Sequence, residues 1–136
     1  MLIYVDSSAL LKRAVDEAES AAVEAALESA VAAGDVIASS TLAWIEVTRA
    51  LRTRLDSTDP RLIARLSDHA LSGLQEAPIG PEVTAVARRI GPPTLRSLDA
   101  IHLATATLLE ADQVWAYGRR LLDAADGLGL VTASPA

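Results

Sequence analysis

The sequence predicts an α/β fold, a parallel β-sheet of four to five short strands flanked by helices. Two observations carry that prediction. Short aliphatic runs alternate with longer helical stretches along the chain, and those runs are apolar throughout instead of alternating apolar with polar residues. Parallel strands need crossover connections, which helices supply, and they are covered on both faces, so they read as continuous apolar runs. A length of 136 residues with 51% apolar residues suits one domain spanning 1–136 with a core of its own.

The elements follow in order. Leu2 to Val5 is a buried strand that ends at Asp6, Ser7 and Ser8, residues that cap helices, and a helix through Ala9 to Arg13 follows. Glu17 to Ala33 is Ala-rich with interspersed glutamates and closes at Gly34, which predicts a long solvent-facing helix. Val36 to Ala38 is the second strand. Ser39, Ser40 and Thr41 offer caps for a helix to about Leu55, with Trp44, Val47, Leu51 and Leu55 on its core face. Asp59-Pro60 opens a helix to about Leu74, since Asp caps and proline suits the first helical position. Glu76 to Ile79 is read as a third strand and Pro81 to Ile90 as a helix, after which Gly91-Pro92-Pro93 forces an irregular link. Ser97 is expected to cap a helix from Leu98 to about Glu110. Val114 to Tyr117 is a strand, Arg119 to Ala125 a short helix, and Leu128 to Val131 a last strand.

Composition excludes several classes of function. A net charge of −6 rules out a basic, tail-driven nucleic-acid binder, so such a partner would have to meet a local basic patch. The absence of cysteine excludes disulfides, thiolate zinc sites and a thiol nucleophile. Asp6 interrupts the N-terminal apolar run before it reaches signal-peptide length, and no run approaches ~20 apolar residues, so no membrane association and a cytoplasmic location are expected. No Gly-rich loop follows the first strand, which argues against a dinucleotide binder. The only lysine, Lys12, is misplaced for a phosphoacceptor receiver domain.

Ligands of an open parallel sheet bind at the carboxyl ends of its strands, and Asp6 sits at such an end. Taken alone, Asp6 reads as a helix N-cap. Glu46 lies between Ile45 and Val47, and a boundary position whose carboxylate reaches water or pairs with Arg49 at i+3 accounts for it alone. Asp99 gains from the macrodipole in the first turn of its helix, yet Leu98, Ala100, Ile101, Leu103, Ala104 and Ala106 make that helix nearly all apolar, so Asp99 needs a partner. Converging, the three carboxylates would form an oxygen-rich pocket of the kind Mg²⁺ takes. His102, on the same apolar helix, reads as a satisfied core histidine. Trp44 and Trp115 read as core.

Four segments together carry a resemblance: IYVDSSALLKR at the first strand, STLAWIEVTRAL on the Glu46 helix, LRSLDAIHLATA around Asp99, and VWAYGRRLLDAA near the end. They resemble the PIN-domain ribonucleases, specifically the VapC toxins of type II toxin–antitoxin pairs, over nearly the whole chain. The resemblance implies a Mg²⁺- or Mn²⁺-dependent endoribonuclease with a PIN-like parallel sheet, dimeric and silenced by a VapB-like antitoxin. By position it assigns Asp6, Glu46 and Asp99 to the catalytic metal pocket and Ser7 to its lining.

One departure stands out. Where the family pattern reads Tyr-Asp-Arg, this chain has Tyr117, Gly118 and Arg119, so the fourth acidic position is missing. Asp112 is expected at the opposite edge of the sheet, and Asp123 is a poor replacement further along the helix. Gly118 can still cap the Arg119 helix. The departure leaves two readings of an enzyme, a natural variant with weakened or one-metal catalysis and a chain inactivated by substitution. It also leaves an alternative function, a non-catalytic PIN-like module that binds RNA or an antitoxin. Arg49 and Arg119 are the arginines expected to hold RNA phosphates, with surface ion pairing as the competing reading.

Overall fold

The computed structural model describes residues 1–55 and 59–136. Its elements are β1 (Leu2–Val5), α1 (Ser7–Leu11), α2 (Ser20–Ala32), β2 (Val36–Ser40), α3 (Thr41–Arg54), α4 (Pro60–Leu71), β3 (Gln75–Ala77), α5 (Pro81–Ala87), α6 (Ser97–Leu108), β4 (Gln113–Trp115), α7 (Arg119–Gly127) and β5 (Val131–Ala133). The strands form one sheet in the order β3-β2-β1-β4-β5, every pair parallel. This is the helix-flanked parallel α/β sheet that the alternation of runs predicts.

The central strand explains the layering. Ile3 and Val5 pack with Ala9, Leu10, Val23, Val47 and Leu51 from α1, α2 and α3, whereas Tyr4, between them in sequence, packs with Ala106 of α6 and with Ala111 and Val114. Successive side chains of a strand point to opposite faces, so β1 is buried from both sides. The chain builds β2 and β3 on one side of β1 and then crosses to build β4 and β5 on the other. The switch point lies between β1 and β4, where Val5 pairs with Trp115, and open α/β sheets bind their ligands outside the strand ends at such a point. Asp6 follows β1 directly at this end of the sheet, and Gly118 lies just past β4.

Several boundaries differ from the sequence expectation, each for a local reason. The third strand ends at Ala77 because Pro78 has no amide to donate to the ladder. The fourth ends at Trp115, since the Tyr117 amide donates to Ser8 Oγ (3.1 Å) instead of continuing the ladder. The last strand starts only at Val131: α7 runs to Gly127, and Gly129, with φ of 79°, turns the chain back into the sheet. Ser97 is the first residue of α6, not its cap; Arg96 holds the extended capping position, with no side-chain cap bond. The α2 helix starts at Ser20 because Lys12 pairs with both Glu17 (2.7 Å) and Glu19 (2.9 Å) and holds that stretch in a turn. It is also less solvent-facing than expected, for Val23, Leu27 and Ala30 form a buried stripe.

Candidate active site

Asp6 is the N-cap of α1. Its Oδ1 accepts from the Ala9 amide (3.1 Å), as a capping carboxylate should, and from Ser8 Oγ (2.6 Å). Ser8 Oγ in turn accepts the Tyr117 amide, so the segment after β4 is tied to the segment after β1. The side chain is 6% exposed. Burial pushes its pKa above the ordinary carboxylate value, and the nearby Glu46 charge adds to the rise. The neighbouring His102 and the bonds from Ser8 and Ala9 act against it.

Glu46 projects from α3, which the Ser40 side chain caps by accepting from the Leu42 amide (3.1 Å). Its Oε1 accepts from Ser7 Oγ (2.6 Å) and stands 2.6 Å from His102 Nε2. Burial alone would raise its pKa, but the hydrogen bonds from His102 and Ser7 outweigh burial and hold it below the ordinary value. Two neighbouring acids are thus pushed in opposite directions, a pattern found where carboxylates do chemistry. The i+3 partner Arg49 is not used by Glu46; it is exposed, one turn further along α3.

Each of these two acids is pinned through one oxygen. Neither Asp6 Oδ2 nor Glu46 Oε2 accepts a hydrogen bond from the described residues. No side-chain oxygen or nitrogen among those residues is both sealed from solvent and unpartnered, so Asp6 Oδ2 keeps some contact with solvent. Asp99 lies in the first turn of α6, one turn before His102, and is half-buried. With Arg96, Gly118, Arg119, Arg120 and Leu121 it lines a cleft of about 250 Å³. Asp6, Glu46 and Asp99 do not close into one group: among the described residues no three His, Cys, Asp or Glu side chains form a cluster that could hold a metal ion as arranged. The donor set still suits a small, hard cation, because Mg²⁺ is commonly held by one or two carboxylates while water and substrate phosphate complete its shell. Two open carboxylate oxygens, each on an acid fixed by its other oxygen, meet that requirement.

At position 118 the backbone is extended (φ −72°, ψ 121°) and caps α7 without a side-chain bond. A Cβ there would have no atom within 4 Å. Asp112 is at the opposite edge of the sheet, where its Oδ2 accepts from the Leu2 amide (2.7 Å). Asp123 lines a different, larger cleft with Gly91, Pro92, Thr94 and Leu95.

Sequence reasoning missed three contributors. His102 is a satisfied core residue, 3% exposed, but one of its partners is Glu46 itself. Tyr4, placed in the core by its strand, bonds His102 Nδ1 (2.6 Å), and Ser8 holds Asp6. Position two residues after Asp6 was the available signal for Ser8; nothing local pointed from Tyr4 to a histidine 98 residues away.

The PIN domain model matches residues 3–127. Ribonuclease VapC47 of Mycobacterium tuberculosis is 38% identical over 136 residues, covering 98% of this chain and 97% of that protein. Ribonuclease VapC46 of the same species is 38% identical over 135 residues with the same coverage. Among solved structures, VapBC2 from Rickettsia felis bound to a promoter DNA fragment superposes with a TM-score of 0.78 at 13% identity, over 100% of both chains. The Mycobacterium tuberculosis VapC20 toxin, described as cleaving the sarcin–ricin loop, gives a TM-score of 0.73 at 16% identity, over 98% of this chain and 99% of that one. A match from β1 to the end of α7, with relatives aligned over almost their full length, establishes that the chain belongs to the PIN-domain family, among the VapC ribonucleases.

Proposed function

We propose that residues 1–136 form a single PIN-like domain that is the toxin of a type II toxin–antitoxin pair, a divalent-metal-dependent endoribonuclease. Asp6, Glu46 and Asp99 are its metal-binding acids, and Mg²⁺ or Mn²⁺ is the ion. One observation carries this reading: Asp6 and Glu46 each have one oxygen pinned and the other free of any hydrogen bond from the described residues. When bound, the ion supplies Lewis-acid stabilisation of the phosphodiester and lowers the pKa of a water. The chain's own groups orient the reaction. Ser8 and the Ala9 amide fix Asp6, and Ser7 and His102 fix Glu46. Arg119 stands beside Asp99, with Arg49 one turn from Glu46, and both are placed for RNA phosphates by charge.

The partners of this reading are RNA, a VapB-like antitoxin and a second copy of the chain, and its location is the cytoplasm. Support comes from the VapC relatives and from the VapBC assembly that shares the fold. Among the described residues no helix is long and apolar enough to cross a membrane. A second reading, a non-catalytic module for RNA or an antitoxin, is favoured by Gly118 and by the open spacing of the three acids.

The two are separated by incubating a cellular RNA pool with the chain, with Asp6→Asn and with Gly118→Asp, in Mg²⁺ or with a chelator. Chelator-sensitive cleavage that Asp6→Asn abolishes supports the nuclease. Cleavage by Gly118→Asp alone makes the present chain a disabled copy, and RNA retention without cleavage by any version supports the binding module.

A further inference from the structure

We propose that Tyr4 and His102 form a positioning relay for Glu46, which holds Oε1 in the protein and leaves Oε2 free for a ligand. The inference rests on the metal-site reading above and assigns roles to two residues outside the acidic set. The relay runs across the sheet: the Ser40 amide donates to the Tyr4 hydroxyl (3.2 Å), which lies 2.6 Å from His102 Nδ1, and His102 Nε2 lies 2.6 Å from Glu46 Oε1.

The direction of the hydrogens follows from the partners. Glu46 is a carboxylate and only accepts, so His102 Nε2 carries a hydrogen. With the Ser40 amide already on the Tyr4 oxygen, the relay assigns the phenol hydrogen to Nδ1. His102 is therefore fixed as the tautomer protonated at Nε2, the second nitrogen's bond setting the first. The rings of Tyr4 and His102 also meet edge-on, 5.9 Å between centroids, which limits rotation of the imidazole. Ser7 closes the set: it donates to the same Oε1, and with both donors on one oxygen the carboxylate has one stable orientation.

These residues are more than packing. Tyr4 is fully buried in the central strand, where phenylalanine would fill the same space, yet its hydroxyl is the link between Ser40 and His102. His102 is set among Ala100, Leu103, Ala104 and Ala106, a helix face whose burial asks for no imidazole.

The test compares the full-length chain with Tyr4→Phe, His102→Leu and His102→Gln. Imidazole nitrogen chemical shifts, with an RNA-free and metal-free sample, give the tautomer. Calorimetric titration with Mn²⁺ gives the affinity, and thermal melting reports folding. The relay predicts a protonated Nε2 and bare Nδ1 in the parent, and mixed tautomers in Tyr4→Phe. It predicts Mn²⁺ affinity lowered about 10- to 100-fold in His102→Leu, the range for partners that orient a ligand, with partial recovery in His102→Gln, whose amide donates to Oε1. A parent protonated at Nδ1, or a Tyr4→Phe variant with the parent's tautomer, overturns the relay. So does unchanged Mn²⁺ affinity in a folded His102→Leu variant. If the parent binds no Mn²⁺, the metal-site reading fails instead, and the nitrogen shifts alone decide the relay.

Discussion

Replacing Gly118 with aspartate tests the cleft from both sides, because the structure predicts its effect on folding and on cation binding separately. The backbone at 118 is extended and in a region open to any residue, and a Cβ meets nothing within 4 Å, so no strain arises. Gly118 caps α7 with no side-chain bond, leaving the first amides of Arg119–Gly127 without a capping acceptor. An Asp cap in place of Gly contributes a few tenths of a kcal/mol, and a negative charge at a helix N-terminus about 0.3–1 kcal/mol more. Arg96, Arg119 and Arg120 line the same cleft and favour the charge. A gain of about 1 kcal/mol should raise the melting temperature by roughly 2–5 °C for a domain of this size. A capping carboxylate uses one oxygen and leaves the other beside Asp99. Melting curves with chelator, and then with rising Mn²⁺, read both effects, since a ligand that binds only the folded state stabilises it in proportion to the logarithm of its concentration over Kd. The expected result is a higher melting point in chelator and a larger Mn²⁺-induced rise than the parent shows. A lower melting point in chelator would refute the cap geometry. An Mn²⁺ rise equal to the parent's would refute the placement of position 118 at the cation site.

The remaining predictions concern charge and packing. The folded-state pKa of Asp6 is raised above its unfolded value near 3.8, so its contribution to stability is full below that value and is lost as pH rises through the folded pKa. Asp6→Asn, free of this loss, should melt above the parent at neutral pH in chelator and converge with it in acid; coincident curves at neutral pH would contradict the raised value. Leu51 on α3 is fully buried, and Leu51→Ala should cost about 2–5 kcal/mol, whereas Ile45→Ala at a half-exposed site on the same helix should stay within about 0.5 kcal/mol in urea titrations. Arg49→Ala and Arg119→Ala should each lower RNA affinity and flatten the dependence of log K on log salt by about 0.7. Unchanged slopes would remove both arginines from the RNA surface.

How far the sequence discloses this molecule depends on the range of the interactions involved. Strands buried on both faces announce themselves as apolar runs, and Asp6 was legible because a carboxylate closing such a run is conspicuous. Glu46 and Asp99 were visible as acids on helices with apolar neighbours, although Asp99 is not gathered into one cluster with the others. Strand ends were harder, since pairing is decided across the sheet: Tyr117 looks like strand, but Ser8 takes its amide. The Tyr4 and His102 bond was illegible for the same reason. Each residue fits its own element as core, and only the fold brings them within 2.6 Å.

Capping accounts for the position of Asp6 but not for its charge. Asparagine and serine cap a helix about as well, and Oδ1 alone receives both the Ala9 amide and the Ser8 hydroxyl. The ionised form is what burial penalises, so a fold selected for stability alone would favour the neutral cap. Glu46 presents the converse: two donors converge on Oε1 and keep it ionised, yet Oε2 gains nothing from the protein. In both acids the held oxygen serves orientation, and the other accepts no hydrogen bond from any described residue. Two acids fixed through one oxygen each, one of them against burial, with the second oxygen left without a hydrogen-bond donor, are intelligible as preparation for a cation. That is why loss of charge at Asp6 is expected to strengthen the fold and empty the site together.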